Sequence, residues 1–276
     1  MSDDFDAAGF LAERLERIAA ERPLIHHITN FVVMNETANL TLCLGASPVM
    51  AHAAAEVEEM AAQAGALVIN MGTPYPELEE AMCAAGRAAN RAGVPVILDP
   101  VGAGATAYRT RLAHRLLEEV RFAAVRGNAA EIARLAGEAA EIRGVDSLSF
   151  TGDATAVASV LASSLGCVVA VTGAVDVVSD GSRLARVSNG HELLGMVTGT
   201  GCMATTAIAV LLAGGEPHLE AAASALALFG LAGELAAAAS GGLPGSFHAA
   251  LYDQVYRLSS GRAPLEDLRV TLESVG

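Results

Sequence analysis

The sequence predicts an α/β fold: a mostly parallel central sheet, covered by helices on both faces, with one antiparallel hairpin. Three observations carry this reading. Apolar runs rich in β-branched residues, such as "ALVINMG", "VPVILDPVG" and "CVVAVTG", alternate with segments of helical length. The runs lack the alternation of a half-exposed strand, so both faces of the sheet must be buried. The segments "VDVVSDG" and "RLARVSNG" lie too close together for a crossover helix and should pair antiparallel. With 276 residues, 53% of them hydrophobic, and no linker or internal repeat, the chain reads as a single domain over 1–276.

The elements follow in order. Phe5, Leu11, Leu15 and Ile18 mark an opening amphipathic helix. "PLIHHITN" is a strand ending in a polar loop, and "NETANLTLCLGA" a helix stopped near Gly45. "SPVMAHA" is a short second strand and "EVEEMAAQAG" a second short helix. Strands "ALVINMG", "VPVILDPVG", "FAAVRGN" and "CVVAVTG" then alternate with "ELEEAMCAAGRAANRAG" and helical segments around 107–119, 129–137 and 153–166. Residues 200–260 read as nearly all helical and alanine-rich, broken at "GGEP" and "SGGLPGS".

Composition excludes several functions. The net charge of −14 argues against a nucleic-acid surface, which needs clustered basic residues. All 17 basic residues are arginine, so neither a Walker-type phosphate loop nor a lysine Schiff base is available. Cys43, Cys83, Cys167 and Cys202 form no CxxC pair, which argues against a zinc cluster and for reduced thiols. The acidic start "MSDDFDAAGF" is unlike a signal peptide, and apolar stretches such as "AAASALALFGLAG" stop short of about 18 residues. A cytoplasmic protein without a membrane span is expected.

In open parallel sheets, ligands bind beyond the carboxyl ends of the strands. Here those ends carry Asn70 and Gly72, Asp99 and Pro100, Arg126 and Asn128, and Thr172 and Gly173. Asp99 is either a turn aspartate before Pro100 or a carboxylate aimed at magnesium. In "RGNAAEI", Asn128 and Glu131 have capping-box spacing, while Arg126 suits a phosphate oxygen and Glu131 magnesium-bound water. Thr172 and Gly173 offer a hydroxyl and an amide to phosphate. "VTGTGCM" is the strongest signal. Gly199 and Gly201 allow backbone amides to converge at the start of a buried helix, forming an anion hole. Cys202 is either a small buried hydrophobe or a thiol whose pKa the helix start lowers, able to accept a hydroxyl proton. Adjacent His26 and His27 face opposite sides of a strand and read as structural. No GxGxxG follows the first strand, which argues against a nicotinamide oxidoreductase.

Together, "HHITNFVVMNETAN", "LGASPVM", "DPVGAGAT", "RGNAAEI", "AVTGAVDVVSDG" and "VTGTGCM" closely resemble the hydroxyethylthiazole kinases, over about residues 23–258. The resemblance implies a ribokinase-like fold and ATP- and magnesium-dependent phosphorylation of the hydroxyl of 4-methyl-5-(2-hydroxyethyl)thiazole in thiamine salvage. It implies a homotrimer with active sites at subunit interfaces. Asn30, Val32, Met50 and Gly199 would line the thiazole pocket. Arg126, Thr172 and Gly173 would bind ATP, Asp99 and Glu131 would organise magnesium, and Cys202 would be catalytic. His27 departs from the family pattern, and Phe31 and Glu36 lie beside the substrate segment. Hydroxymethylpyrimidine kinases and hydrate dehydratases share these loops but carry an aspartate where Cys202 stands. A non-catalytic nucleotide- or thiamine-precursor-binding protein is the alternative from another class.

Overall fold

The computed structural model describes residues 5–142 and 153–275. Strand β3 (Ala66–Asn70) shows how its sheet is organised. All five residues are buried, and successive side chains serve opposite layers. Ala66 and Val68 join one apolar cluster, and Leu67 and Ile69 the other. The same division runs through β4 (Val96–Asp99), β5 (Ala124–Asn128) and β6 (Val168–Thr172), which explains why these strands read as apolar runs up to their ends.

One layer holds α1 (Ala7–Glu21), α2 (Met34–Cys43), α8 (Thr200–Leu212), α9 (His218–Ser240) and α10 (Pro244–Ser259). The other holds α3 (Val57–Gln63), α4 (Pro76–Ala92), α5 (Ala107–Glu119), α6 (Ala129–Ile142) and α7 (Ala154–Leu165). With β1 (Leu24–Ile28) and β2 (Ser47–Val49), the parallel part of the sheet runs β2-β1-β3-β4-β5-β6. The expected hairpin is β7 (Asp176–Ser179) with β8 (Arg183–Val187). Its turn is held by Asp180, whose Oδ1 accepts from the Ser182 and Arg183 amides at 2.9 and 2.7 Å.

Two features differ from the sequence reading. A ninth strand, β9 (Val270–Ser274), pairs antiparallel with β8. It is an edge strand with only Leu272 buried, so it lacks the apolar run that marks the others. The expectation that no apolar stretch reaches membrane-spanning length also needs correction. The apolar run of α9 is short between Glu220 and Glu234, yet the whole helix is long and apolar enough to cross a membrane. Every residue from Leu219 to Gly233 is buried within the fold. A helix apolar all round is here a core helix.

The sheet order makes neighbours of residues far apart in sequence. Asn70 and Asp99 are register partners across β3 and β4, and Asn128 and Thr172 across β5 and β6. All end their strands at the same edge of the sheet.

Candidate active site

Two cavities adjoin along that edge. The larger, about 560 Å³, is lined by Thr172, Gly173 and Asp176 on one side and by Leu194, Leu226 and Phe229 on another. The smaller, about 360 Å³, is lined by Asn30, Val32, Asp99, Glu131, Gly199 and Cys202. Arg126 and Gly201 belong to both. The strand-end cation and the first turn of α8 therefore sit where the cavities meet.

Local geometry explains the glycines of "VTGTGCM". Gly199 caps α8 with φ +89°, and a Cβ there would lie 2.8 Å from Val33 Cγ1. A Cβ on Gly201 would lie 2.8 Å from Arg126 Nη1. No side chain caps α8, so the amides of its first turn and the positive end of its dipole stay available to an anion at the junction.

Arg126 is mostly buried. Its Nη2 donates to Thr172 Oγ1 at 2.6 Å, and its Nη1 lies 4.0 Å from Asp99 Oδ1. Asp99 is fully buried and anchors a chain of side chains. Its Oδ2 accepts from Asn70 Nδ2 at 2.8 Å and from Thr205 Oγ1 at 2.9 Å. Its Oδ1 is buried with no hydrogen-bond partner. Burial pushes the Asp99 carboxyl above its ordinary range, against the opposing pull of Arg126 and Thr205.

Cys202 reverses its expectation. The thiol pKa is pushed up to about 12, first by burial and then by the charge of Asp99. The amides of Asn70, at 3.2 Å, and Asn30, at 3.7 Å, donate to Sγ and oppose that shift without overcoming it. The helix start does not win, because a thiolate here would be buried beside a carboxylate. Cys202 is a protonated thiol at neutral pH.

Glu131 has a structural task that the capping-box spacing foretold. Its Oε2 accepts from the Asn128 amide and Asn128 Oδ1 accepts from the Glu131 amide, both at 2.9 Å. Its Oε1 takes the Gly102 amide at 2.8 Å, tying down the "VGAGAT" loop.

Asn30, Val32, Gly199, Cys202, Asp99, Glu131, Arg126, Thr172 and Gly173 are thus all brought to the two cavities. Met50 is not. It follows β2, the outermost strand, whose last residue Val49 is level with His26. Asn30 lies four residues further along, roughly 13 Å at strand rise. The sequence reading gave no role to Thr205, Asp176 or Arg109. Thr205 was detectable as the residue three beyond Cys202 on α8. Asp176 accepts from the Gly173 amide at 2.9 Å, and burial lifts its pKa to about 6. Arg109 donates to the carbonyls of Met71, Val101 and Gly72, pinning the loops after β3 and β4 together; nothing in its own helix signals this. His26 and His27 are buried and bonded to Ala51 O and Thr41 Oγ1, consistent with a structural role.

Known proteins show the same architecture. The chain is 56% identical to a hydroxyethylthiazole kinase of Chloroflexus aurantiacus, over 91% of this chain and 93% of that one. The solved structure of a hydroxyethylthiazole kinase protein from Pyrococcus horikoshii matches with TM-score 0.85 and 45% identity, over 97% of this chain and 100% of that one. A ribokinase-like superfamily protein from Enterococcus faecalis, 14% identical, matches with TM-score 0.64 over 90% of this chain and 94% of that one, which establishes the ribokinase-like fold. The family model for the hydroxyethylthiazole kinase family matches residues 15–261, and the chain belongs to that family.

Proposed function

We propose that this chain transfers the γ-phosphoryl group of ATP to the primary hydroxyl of hydroxyethylthiazole, a step of thiamine salvage, and works as one kinase domain. The observation that carries the reading is the meeting of two cavities at Arg126 and the first turn of α8. The larger suits a nucleotide: Leu194, Leu226 and Phe229 offer an apolar wall to a base, and Thr172 and Gly173 a hydroxyl and an amide to phosphate. The smaller suits the thiazole alcohol, with Asn30, Val32 and Gly199 as its walls and Cys202 at its floor.

In the transfer, the alcohol oxygen bonds to the γ-phosphorus as the bond from that phosphorus to the bridging oxygen of ADP breaks. The transition state is loose, so positioning and charge stabilisation dominate. Arg126 and the α8 amides face the charge on the moving phosphoryl group. A strong base is not needed early, which suits a protonated thiol. Cys202 orients the hydroxyl. The hydroxyl proton leaves late, onto an oxygen of the transferred phosphoryl group as the new O–P bond forms.

Magnesium fits the residues present. The partnerless Asp99 Oδ1 is a buried acceptor suited to a cation, and Glu131 has lone pairs left for metal-bound water. Two carboxylates, with phosphate and water completing the shell, are an ordinary magnesium set. When bound, the ion would neutralise phosphate charge.

A homotrimer with interfacial sites accords with the exposed apolar residues at the cavity rim. Phe31 and Val32 are 63% and 55% exposed, and Val32 also lines the smaller cavity. Met50 would then serve a neighbouring subunit. The free thiols suit the cytoplasm. The deciding experiment is a coupled assay of ADP release with ATP and magnesium, with and without hydroxyethylthiazole. Thiazole-dependent ADP release is expected; ADP release indifferent to the alcohol would overturn the reading.

A further inference from the structure

Asn70 links Asn30, Asp99 and Cys202 through one side-chain amide. It ends β3 and is 1% exposed. Its Oδ1 accepts from Asn30 Nδ2 at 2.8 Å and from the Gly72 amide at 2.9 Å. Its Nδ2 donates to Asp99 Oδ2 at 2.8 Å and to Cys202 Sγ at 3.2 Å. All four hydrogen-bonding positions of the amide are filled.

The orientation of this amide follows from its partners. The Gly72 N–H can only donate, so the atom facing it must be the oxygen. The NH2 group must then face Asp99 and Cys202. One consequence concerns the thiol. A sulfur that accepts a hydrogen from Asn70 cannot direct its own hydrogen there. The S–H is left to point at the Asp99 carboxylate or into the smaller cavity. A second consequence concerns the acid. Asp99 Oδ2 is held by Asn70 and Thr205, so Oδ1 is the oxygen turned toward Arg126.

We infer that Asn70 is a positioning residue for phosphoryl transfer: its amide sets the direction of the Cys202 thiol and fixes which oxygen of Asp99 is free. The inference rests on the kinase reading above. It explains a feature that packing alone does not, namely an asparagine rather than an apolar residue at the buried end of a central strand. Packing needs only volume there. The orienting role needs one acceptor face and one donor face on the same group, and only a carboxamide of this length supplies both.

The substitution that isolates this is Asn70→Asp in the full-length protein. It preserves shape and the acceptor face, and it replaces the donor face with an oxygen. The contacts to Asn30 and Gly72 remain, while the donor against Cys202 Sγ and Asp99 Oδ2 is lost. The expected result is at least a tenfold fall in kcat at pH 8 with a change in KM for hydroxyethylthiazole below threefold. A merely structural asparagine would not split kcat from KM in this way.

A readout independent of catalysis accompanies it. Alkylation of Cys202 by iodoacetamide at pH 9, with Cys202→Ala as the blank, should slow at least threefold in Asn70→Asp, because an acidic oxygen replaces the donor against Sγ. An inactive parent would defeat the kinase reading and leave this readout able to judge the contact. An active parent, with Asn70→Asp matching it in kcat and alkylation rate, would overturn the inference. A loss of kcat accompanied by an equal loss of folded protein, with unchanged alkylation, would overturn it as well.

Discussion

Asp99→Asn separates what the buried acid does for the fold from what it does for the reaction. In the folded protein the acid carries an unpartnered Oδ1 and an Oδ2 bonded by Asn70 and Thr205. An amide oxygen can take the place of Oδ2 and keep both donors. Each bond weakens from the roughly 1.5–3 kcal/mol typical of a charged acceptor to about 1 kcal/mol. Against this loss stands the desolvation of a buried carboxylate, several kcal/mol, which the substitution removes. Burial raises this carboxyl above its unfolded value. The folded state therefore binds its proton more tightly than the unfolded chain, and ionised Asp99 subtracts stability as pH rises toward neutrality. The net expectation is a change of about 0 to +2 kcal/mol, a melting temperature equal to the parent or several degrees higher at about 2–4 °C per kcal/mol. Activity should move the other way. A neutral amide holds magnesium poorly and leaves the charge of Arg126 unbalanced, so kcat should fall about 100-fold, equivalent to about 2.7 kcal/mol of barrier. Calorimetry at pH 7.5 and the coupled assay across a magnesium titration measure both. A protein that melts more than 5 °C lower yet keeps its kcat would refute the reasoning, and Asp99 would then be a structural anchor.

Three further outcomes follow from the geometry. Gly201→Ala places a methyl 2.8 Å from Arg126 Nη1; the arginine end must move off Thr172, and kcat/KM for ATP should fall about tenfold in steady-state kinetics with little change in thiazole KM. His27 is held neutral by burial, with a folded pKa of about 3. Its stabilising contribution is present above an unfolded value of about 6.5 and is lost as pH falls toward 3, at up to about 1.4 kcal/mol per pH unit. Denaturant titrations between pH 4 and 7 should show a shallower slope for His27→Gln than for the parent. Val32→Asp puts a charge on the exposed rim of the smaller cavity. Light scattering should show a shift toward smaller species; a mass unchanged from a parent trimer would remove Val32 from the subunit contact.

The sheet and its rim were legible because burial on two faces leaves a signature in single strands. Asn70, Asp99, Arg126 and Thr172 each interrupt an apolar run at its end, and strand order then brings them together. Glu131 was legible twice, since capping-box spacing and a cation neighbour occur in the same seven residues. The properties that depend on long-range neighbours were not legible. The pKa of Cys202 is set by burial and then by Asp99, 103 positions earlier, while sequence shows only the helix start that would lower it. The place of Met50 was not legible for a similar reason: the length of an edge strand relative to its neighbour is not written in either strand, and within one chain Met50 lies outside both cavities. Arg109 clamps three carbonyls from an ordinary amphipathic helix, and backbone acceptors carry no sequence code.

The thiol of Cys202 makes sense only together with Asp99. A carboxylate in its place would set two acids side by side in a buried pocket, and one would have to keep a proton or leave water behind. A neutral thiol avoids that conflict. It accepts from the amides of Asn70 and Asn30 beside the one carboxylate already buried there. The cost is basicity, which a loose transition state does not require early. The fold has therefore placed its negative charge one residue deeper, at Asp99, where Arg126 and Thr205 hold it, and has kept a polarizable, neutral group at the surface that meets the alcohol.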